Sequence, residues 1–172
     1  GDIFNQEEQK SMERFIQSGH GFMGIHSASD TEYDWLWYRK LVGRMFKIHP
    51  SIQTAIVNVV DTSFAGLEGF KNSNKWTDEW YEFGPDQTTG LNTILTVDEK
   101  SYNPIIKWEA NPQRPSIEGK GMGSFHPIAW YHNYDGGRSF YTNLGHLPAD
   151  FSEPIYLNHI LAGIVWAATG KK

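Results

Sequence analysis

Gly21-Phe22-Met23-Gly24-Ile25-His26-Ser27-Ala28 is the stretch on which the reading of this chain turns. A short apolar run with small residues on both sides ends in a histidine, followed by Ser27, Ala28 and Ser29. A buried parallel strand reads this way when it stops at a tight turn and lifts one polar side chain above the sheet edge. In open α/β sheets ligands bind outside the carboxyl ends of the strands. His26 therefore stands where such a fold keeps its chemistry. It occupies the elbow that carries the nucleophile in G-x-S-x-G hydrolases, with an imidazole in place of Ser or Cys. The expected fold is α/β, a mainly parallel sheet with strand 21–25 near its middle.

Working outward, Asn5 to Ser18 reads as a helix, with Asn5 as cap, Glu8 completing a capping box, and Met12, Phe15 and Ile16 as its apolar stripe. A helix that opens a chain and feeds a parallel strand implies a strand before it. The chain is thus expected to be the C-terminal portion of a larger domain. The exposed strand edge and helix stripe would then be covered by a second copy, making a homo-oligomer a candidate assembly. Thr31 to Gly43 reads as an aromatic helix, Ile52 to Val60 as a strand, residues 61–75 as a Gly/Ser/Asn-rich loop, Thr77 to Phe83 as a short strand stopped by Gly84-Pro85, and Asn92 to Val97 as another strand. Residues 102–123 read as a long loop. Phe125–His132 and Arg138–Leu144 flank Asp135-Gly136-Gly137 as a hairpin, and Glu153 to Ala168 closes the chain as a helix with Ile160, Leu161, Ile164 and Val165 as its apolar face.

Composition narrows the functional classes. With 172 residues, 39% hydrophobic and 20% charged, the chain is expected to form one globular domain, as the C-terminal portion of a larger one. A net charge of −5 without a Lys/Arg cluster argues against nucleic acid and anionic membranes as partners. No apolar run approaches the roughly 18 residues of a membrane span. Cysteine is absent, which removes disulfides, thiolate metal sites and a thiol nucleophile, and leaves the compartment open between cytoplasm and periplasm. Aromatics reach 15%, several beside Asp, Glu or His, a mixture that suits the apolar faces and hydroxyl edges of a small-molecule carbohydrate.

Polar groups collect near the expected strand ends: His26 with Asp30, Glu32 and Asp34; His49; Asp78 and Glu79; His126; and His146. His126 and His146 flank the hairpin, so an antiparallel pair brings them close. Asp78 and Glu79 are adjacent and point to opposite faces unless the chain is irregular there. A carboxylate among aromatics is desolvated, which raises its pKa and suits general acid–base work. His26, Glu79 and His126 are the candidate catalytic groups. Asp30, Glu32, Tyr33, Trp35, His49, Asp78, Trp80, Trp130 and His146 are candidates for substrate binding, with Tyr33, Trp35, Trp80 and Trp130 as aromatic walls. No cofactor is evident. A divalent metal is an open option through His26, His49, His126 or His146 with a carboxylate, although no H-E-x-x-H pattern occurs.

These motifs together resemble the ThuA-like, or trehalose-utilisation, family: Gly24-Ile25-His26-Ser27-Ala28, Asp30-Thr31-Glu32-Tyr33-Asp34-Trp35 continuing to Trp37-Tyr38, Thr77-Asp78-Glu79-Trp80-Tyr81, His126-Pro127-Ile128-Ala129-Trp130, Asp135-Gly136-Gly137-Arg138 and Leu144-Gly145-His146. The resemblance implies a variant of the class I glutamine amidotransferase fold, a flavodoxin-like three-layer sandwich that here lacks an N-terminal strand-helix-strand. It also implies a role in bacterial sugar catabolism. Glutaminase activity is out of reach without a cysteine. The expected function is action on a disaccharide or its oxidised keto derivative, as hydrolase, lyase or isomerase. The alternative is a non-catalytic carbohydrate-binding or accessory domain.

Overall fold

Local sequence starts the fold as expected. The structure, a computed structural model, describes residues 1–72 and 75–172. Asn5 caps α1 (Gln6–Gln17): its side chain accepts from the N–H groups of Glu7 and Glu8, and the Glu8 carboxylate accepts from Asn5 N–H. The chain then enters β1 (Gly21–Ile25) and a 3₁₀ turn at His26–Ser29. There follow α2 (Leu36–Val42), β2 (Arg44–Ile48), β3 (Gln53–Val59), α3 (Glu68–Asn72), β4 (Lys75–Asp78), β5 (Glu82–Gln87) and β6 (Asn92–Asp98). β7 (Ile106–Trp108), β8 (Ile117–Gly119), β9 (Pro127–Tyr134), β10 (Gly137–Thr142) and α4 (Pro154–Thr169) complete it.

The sheet corrects the expected fold class. Its six strands run in the order β1-β10-β9-β6-β3-β4, and only β1 and β10 are parallel. This is a mixed, mostly antiparallel sheet, not the mainly parallel flavodoxin-like sandwich. β1 lies at one edge instead of the middle. Its apolar sequence is explained by cover on its two faces: Phe22 packs on Tyr38 of α2, and α4 approaches so closely that a Cβ on Gly21 would lie 1.9 Å from the Ala167 carbonyl oxygen. Hydrophobic pattern reports what lies above and below a strand. It does not report which strands lie beside it.

Alternation along β9 and β10 builds two cores. Tyr131 and Phe140 meet Phe64, Phe70 of α3 and Tyr156 and Trp166 of α4. Trp130 and Tyr141 meet Ile16 of α1, Tyr38, Leu41 and Val42 of α2, and Met45 and Phe83 of the β2–β5 ribbon. Each fully buried large side chain contributes roughly 1.5–3 kcal/mol. The hairpin turn uses Asp135 and Gly136, both at positive φ, as a two-residue turn of this hand requires.

Other boundaries differ from expectation. The helix expected from Thr31 begins only at Leu36, and β2 follows it. The strand expected over 77–83 is two strands, β4 and β5, broken at 79–81, and β5 runs through Gly84-Pro85. The loop expected over 61–75 contains α3, while its residues 73–74 lie outside the described residues. Residues 102–123 hold the β7–β8 hairpin. α4 buries Tyr156, His159, Gly163, Trp166 and Ala167, whereas Leu161, Ile164 and Val165 are exposed. That helix is apolar nearly all round, so its pattern could not select the buried face. No helix among the described residues is long and apolar enough to cross a membrane.

Candidate functional site

The site begins where β1 stops. His26 takes φ +46°, a left-handed conformation that costs a non-glycine residue ~1 kcal/mol or more. The turn is pinned from β10: the Tyr141 hydroxyl donates to the His26 carbonyl at 2.8 Å, and the Ser29 hydroxyl lies 2.8 Å from it. Nδ1 of the His26 ring lies 2.7 Å from the Asn143 carbonyl oxygen. A carbonyl only accepts, so Nδ1 carries the proton and Nε2 presents its lone pair. Burial pushes the His26 imidazole below its ordinary value, outweighing the raising influence of the Asn143 carbonyl and Glu79.

Glu79 reaches the same point from the break between β4 and β5. Two buried side chains shape that break. The Asn143 side chain donates to Glu79 O at 3.1 Å and accepts from Tyr81 N–H at 3.1 Å. The Asp78 carboxylate accepts from the N–H groups of Glu79 at 2.8 Å, Gly145 at 2.8 Å and His146 at 3.2 Å. One carboxylate thus ties together the two segments that carry Glu79 and His146. Burial raises the Asp78 pKa, with the three amides pulling the other way.

Three donor atoms meet as a result. His26 Nε2, Glu79 Oε2 and His146 Nδ1 are mutually separated by 3.2 Å. The Tyr81 hydroxyl donates to His26 Nε2 at 2.7 Å, and burial, then the Glu79 charge, raises its pKa so that it remains a donor. His49 stands on the far side of Glu79, its Nδ1 3.5 Å from Oε1 and bonded to the Pro50 carbonyl at 2.7 Å. Its ring meets Trp108 edge-on at 5.1 Å and lies 5.8 Å from both Phe46 and Tyr81. The His146 side chain keeps 37% of its surface exposed, so solvent reaches the cluster.

The structure brings His26, His49, Glu79 and His146 together, with Asp78 directly beneath them. It places His126 elsewhere: Nδ1 lies 2.7 Å from Glu99 Oε1, and Nε2 bonds Tyr81 O at 2.8 Å. Burial pushes the Glu99 carboxyl up, but His126 and the amides of Met122 and Gly123 outweigh it and hold it below the usual range. The rings of His126 and His146, expected to be close, are engaged with different carboxylates. Glu32 holds the N-terminal segment, accepting from Ile3 N–H, Phe4 N–H and Gln9 Nε2. Trp35 stacks on Trp37 and Tyr38, and its indole donates to Glu13. Trp80 and Trp130 are fully buried, with indole N–H groups on the carbonyls of Gln53 and Val42. The Tyr33 hydroxyl donates to Asp30 at 2.6 Å and lies 3.0 Å from the carbonyl oxygen of Phe46, a residue of the aromatic wall.

Comparison with known proteins agrees with this arrangement of motifs. A family model described as ThuA, trehalose utilisation, matches residues 1–167. The chain belongs to that family. Among solved structures it is similar to a ThuA-like protein from Parabacteroides merdae ATCC 43184, at 19% identity and a TM-score of 0.71, covering 99% of this chain and 68% of that one. A ThuA-like protein from Bacteroides uniformis ATCC 8492 matches at 22% identity and a TM-score of 0.68, covering 99% and 69%. At those identities the likeness concerns the fold. No curated protein matches the chain.

Several residues of this ThuA-family site were not singled out from sequence. Tyr81 lies within the Thr77–Tyr81 motif, in the stretch that reads as one short strand. The break at 79–81 is what frees its hydroxyl to reach His26. Phe46 and Trp108 join the cluster from β2 and β7, elements that no periodicity signalled. Asn143 acts on His26 through its main-chain carbonyl, which no residue type advertises.

Proposed function

We propose that this chain acts in carbohydrate catabolism on a disaccharide or its oxidised keto derivative, with His26, Glu79 and His146 as the reacting cluster. The observation that carries the reading is the convergence of three donor atoms, each 3.2 Å from the other two, beside a wall of Phe46, Tyr81 and Trp108. Supporting it is the family's description as trehalose utilisation. Aromatic faces stack on the C–H face of a sugar ring while the polar cluster meets its hydroxyls. In this reading the lone pair of His26 Nε2 or the Glu79 carboxylate takes a proton from a sugar hydroxyl or from water. The Tyr81 hydroxyl returns one to the departing oxygen, beside the His146 ring. His126 serves as a positioning residue, holding the Tyr81 main chain through its carbonyl.

The test is an assay of trehalose, other disaccharides and their keto derivatives, with products followed by NMR and binding by calorimetry. Turnover that His26→Asn abolishes while sugar binding persists supports the reading. Sugar binding without turnover in the wild type, or turnover unchanged in His26→Asn, overturns it in favour of a non-catalytic carbohydrate-binding domain.

A further inference from the structure

We infer that His26 Nε2, Glu79 Oε2 and His146 Nδ1 form a binding site for one divalent first-row transition ion of the zinc, manganese or cobalt type. The inference deepens the proposed function and rests on the same cluster: an ion held there would replace the His26 lone pair as the means of proton removal, because it would acidify a bound water or sugar hydroxyl.

Four features of the geometry point this way. First, the donor triangle has the right size. With bonds of roughly 2.1 Å, neighbouring donors lie about 3.4 Å apart in a tetrahedron and about 3.0 Å apart at the cis positions of an octahedron. All three separations here are 3.2 Å, between those values. The three atoms therefore cap one face of either polyhedron and leave the remaining positions to solvent or substrate. Second, the donor set is two imidazoles and one carboxylate, a facial set used for borderline ions, and no thiolate is present to favour softer ones.

Third, the Nε2 lone pair of His26 faces the other two donors and now accepts from the Tyr81 hydroxyl, a hydrogen bond that an ion would replace. A metal-bound histidine usually gives its other N–H to a carbonyl or carboxylate, which fixes both tautomer and ring plane. His26 does so through Nδ1 to the Asn143 carbonyl. Fourth, the backbones that carry the other two ligands are locked to one anchor, since the Asp78 carboxylate accepts from both Glu79 N–H and His146 N–H. Three ligands held this firmly on one side, with His146 open to solvent, describe a site with free coordination positions and not a closed structural one.

Metal binding can be read without any sugar, so it fails or succeeds independently of the proposed reaction. Protein stripped with EDTA is titrated with cobalt(II) chloride by visible absorption and with zinc chloride by calorimetry. The expected result is one saturable equivalent of each, competing with the other. Glu79→Gln, which keeps the shape of the side chain, and His146→Ala, on a solvent-facing loop, should each weaken binding at least about tenfold, as loss of a metal-shell group does. His20→Ala, at an exposed histidine stacked on Phe15, should leave it unchanged. Circular dichroism and thermal melts of each variant separate loss of a ligand from loss of the fold. Absence of saturable binding to the folded wild type overturns the inference. So does an unchanged affinity in both Glu79→Gln and His146→Ala.

Discussion

The main-chain carbonyl of Asn143 accepts a hydrogen bond from Nδ1 of His26 at 2.7 Å, and this one contact determines which nitrogen of the ring faces the cluster. With Nδ1 committed to the carbonyl, Nε2 faces Glu79, His146 and Tyr81 as an acceptor. On the proposed function, replacing the ring should remove activity more than stability. In His26→Asn, a residue that tolerates positive φ, turnover should fall by roughly 10²–10⁴-fold, the usual range for a lost acid–base group. Steady-state kinetics beside a thermal melt check this. A stable variant with near wild-type turnover would take His26 out of the mechanism.

Asp78 should matter through the segments it joins. In Asp78→Asn one of its oxygens becomes an NH₂ group, which cannot accept, so either the Gly145 amide or the amides of Glu79 and His146 lose their partner. A loss of about 1–3 kcal/mol is expected in urea unfolding, the cost of leaving buried donors without a partner. Because the join between the segments that carry Glu79 and His146 is weakened in either orientation, kcat should drop further than KM rises on the proposed function. Equal changes in the two constants would point to a merely structural role.

Gly145 tests the same loop from the other side. Its φ is +110°, and a Cβ there would lie 1.9 Å from the Tyr156 hydroxyl, which itself donates to the Leu144 carbonyl. Gly145→Ala should therefore cost on the order of 1–3 kcal/mol and displace His146. Tyr156→Phe, combined with it, should recover only part of the loss, since the backbone strain remains. Full recovery in the double variant would show that the clash alone was responsible.

His159 makes a pH-dependent contribution to stability. It is fully buried between Phe70 and Phe140, bonded through Nε2 to Thr142, and burial lowers its pKa from 6.5 to about 3. Between those values the unfolded chain binds a proton that the folded chain refuses. Its contribution is thus complete above pH 6.5 and is lost as pH falls toward 3, at roughly 1.4 kcal/mol per pH unit. Asp150 works in the opposite sense: burial, then the nearby Asp78, push it up to about 6, so its contribution is complete below the ordinary 3.8 and fades as pH rises through 6. Comparing wild type with His159→Gln cancels the Asp150 effect. The difference in urea stability between them should change steadily from pH 6 to pH 4, and a flat difference would exclude His159 as its source.

Short-range features were legible in the sequence, and lateral ones were not. The Asn5–Glu8 capping box and the Asp135-Gly136 turn are chosen by residues a few positions apart, and both stand where the pattern placed them. Strand 21–25 was found to the residue, yet its position in the sheet was misread, because α4 and α2 supply the burial that was ascribed to flanking parallel strands. In the site, His26, His49, Glu79 and His146 carry visible chemistry, so their residue types could be noticed. The irregular backbone at 79–81 that lets Glu79 and Tyr81 converge depends on Asn143 and Asp78, and no local preference encodes it.

The pairing of β1 with β10 also has a kinetic side. His26 and the Asn143 carbonyl that orients it are 117 residues apart along the chain. Closing a loop of that length costs roughly 4 kcal/mol of chain entropy before any contact repays it. These two segments are therefore expected to meet late in folding, after the local hairpin of β9 and β10 has formed. Until they meet, His26 has neither its tautomer nor its neighbours. A chain still leaving the ribosome carries His26 well before Asn143 and His146, and the cluster cannot assemble until those two have also emerged.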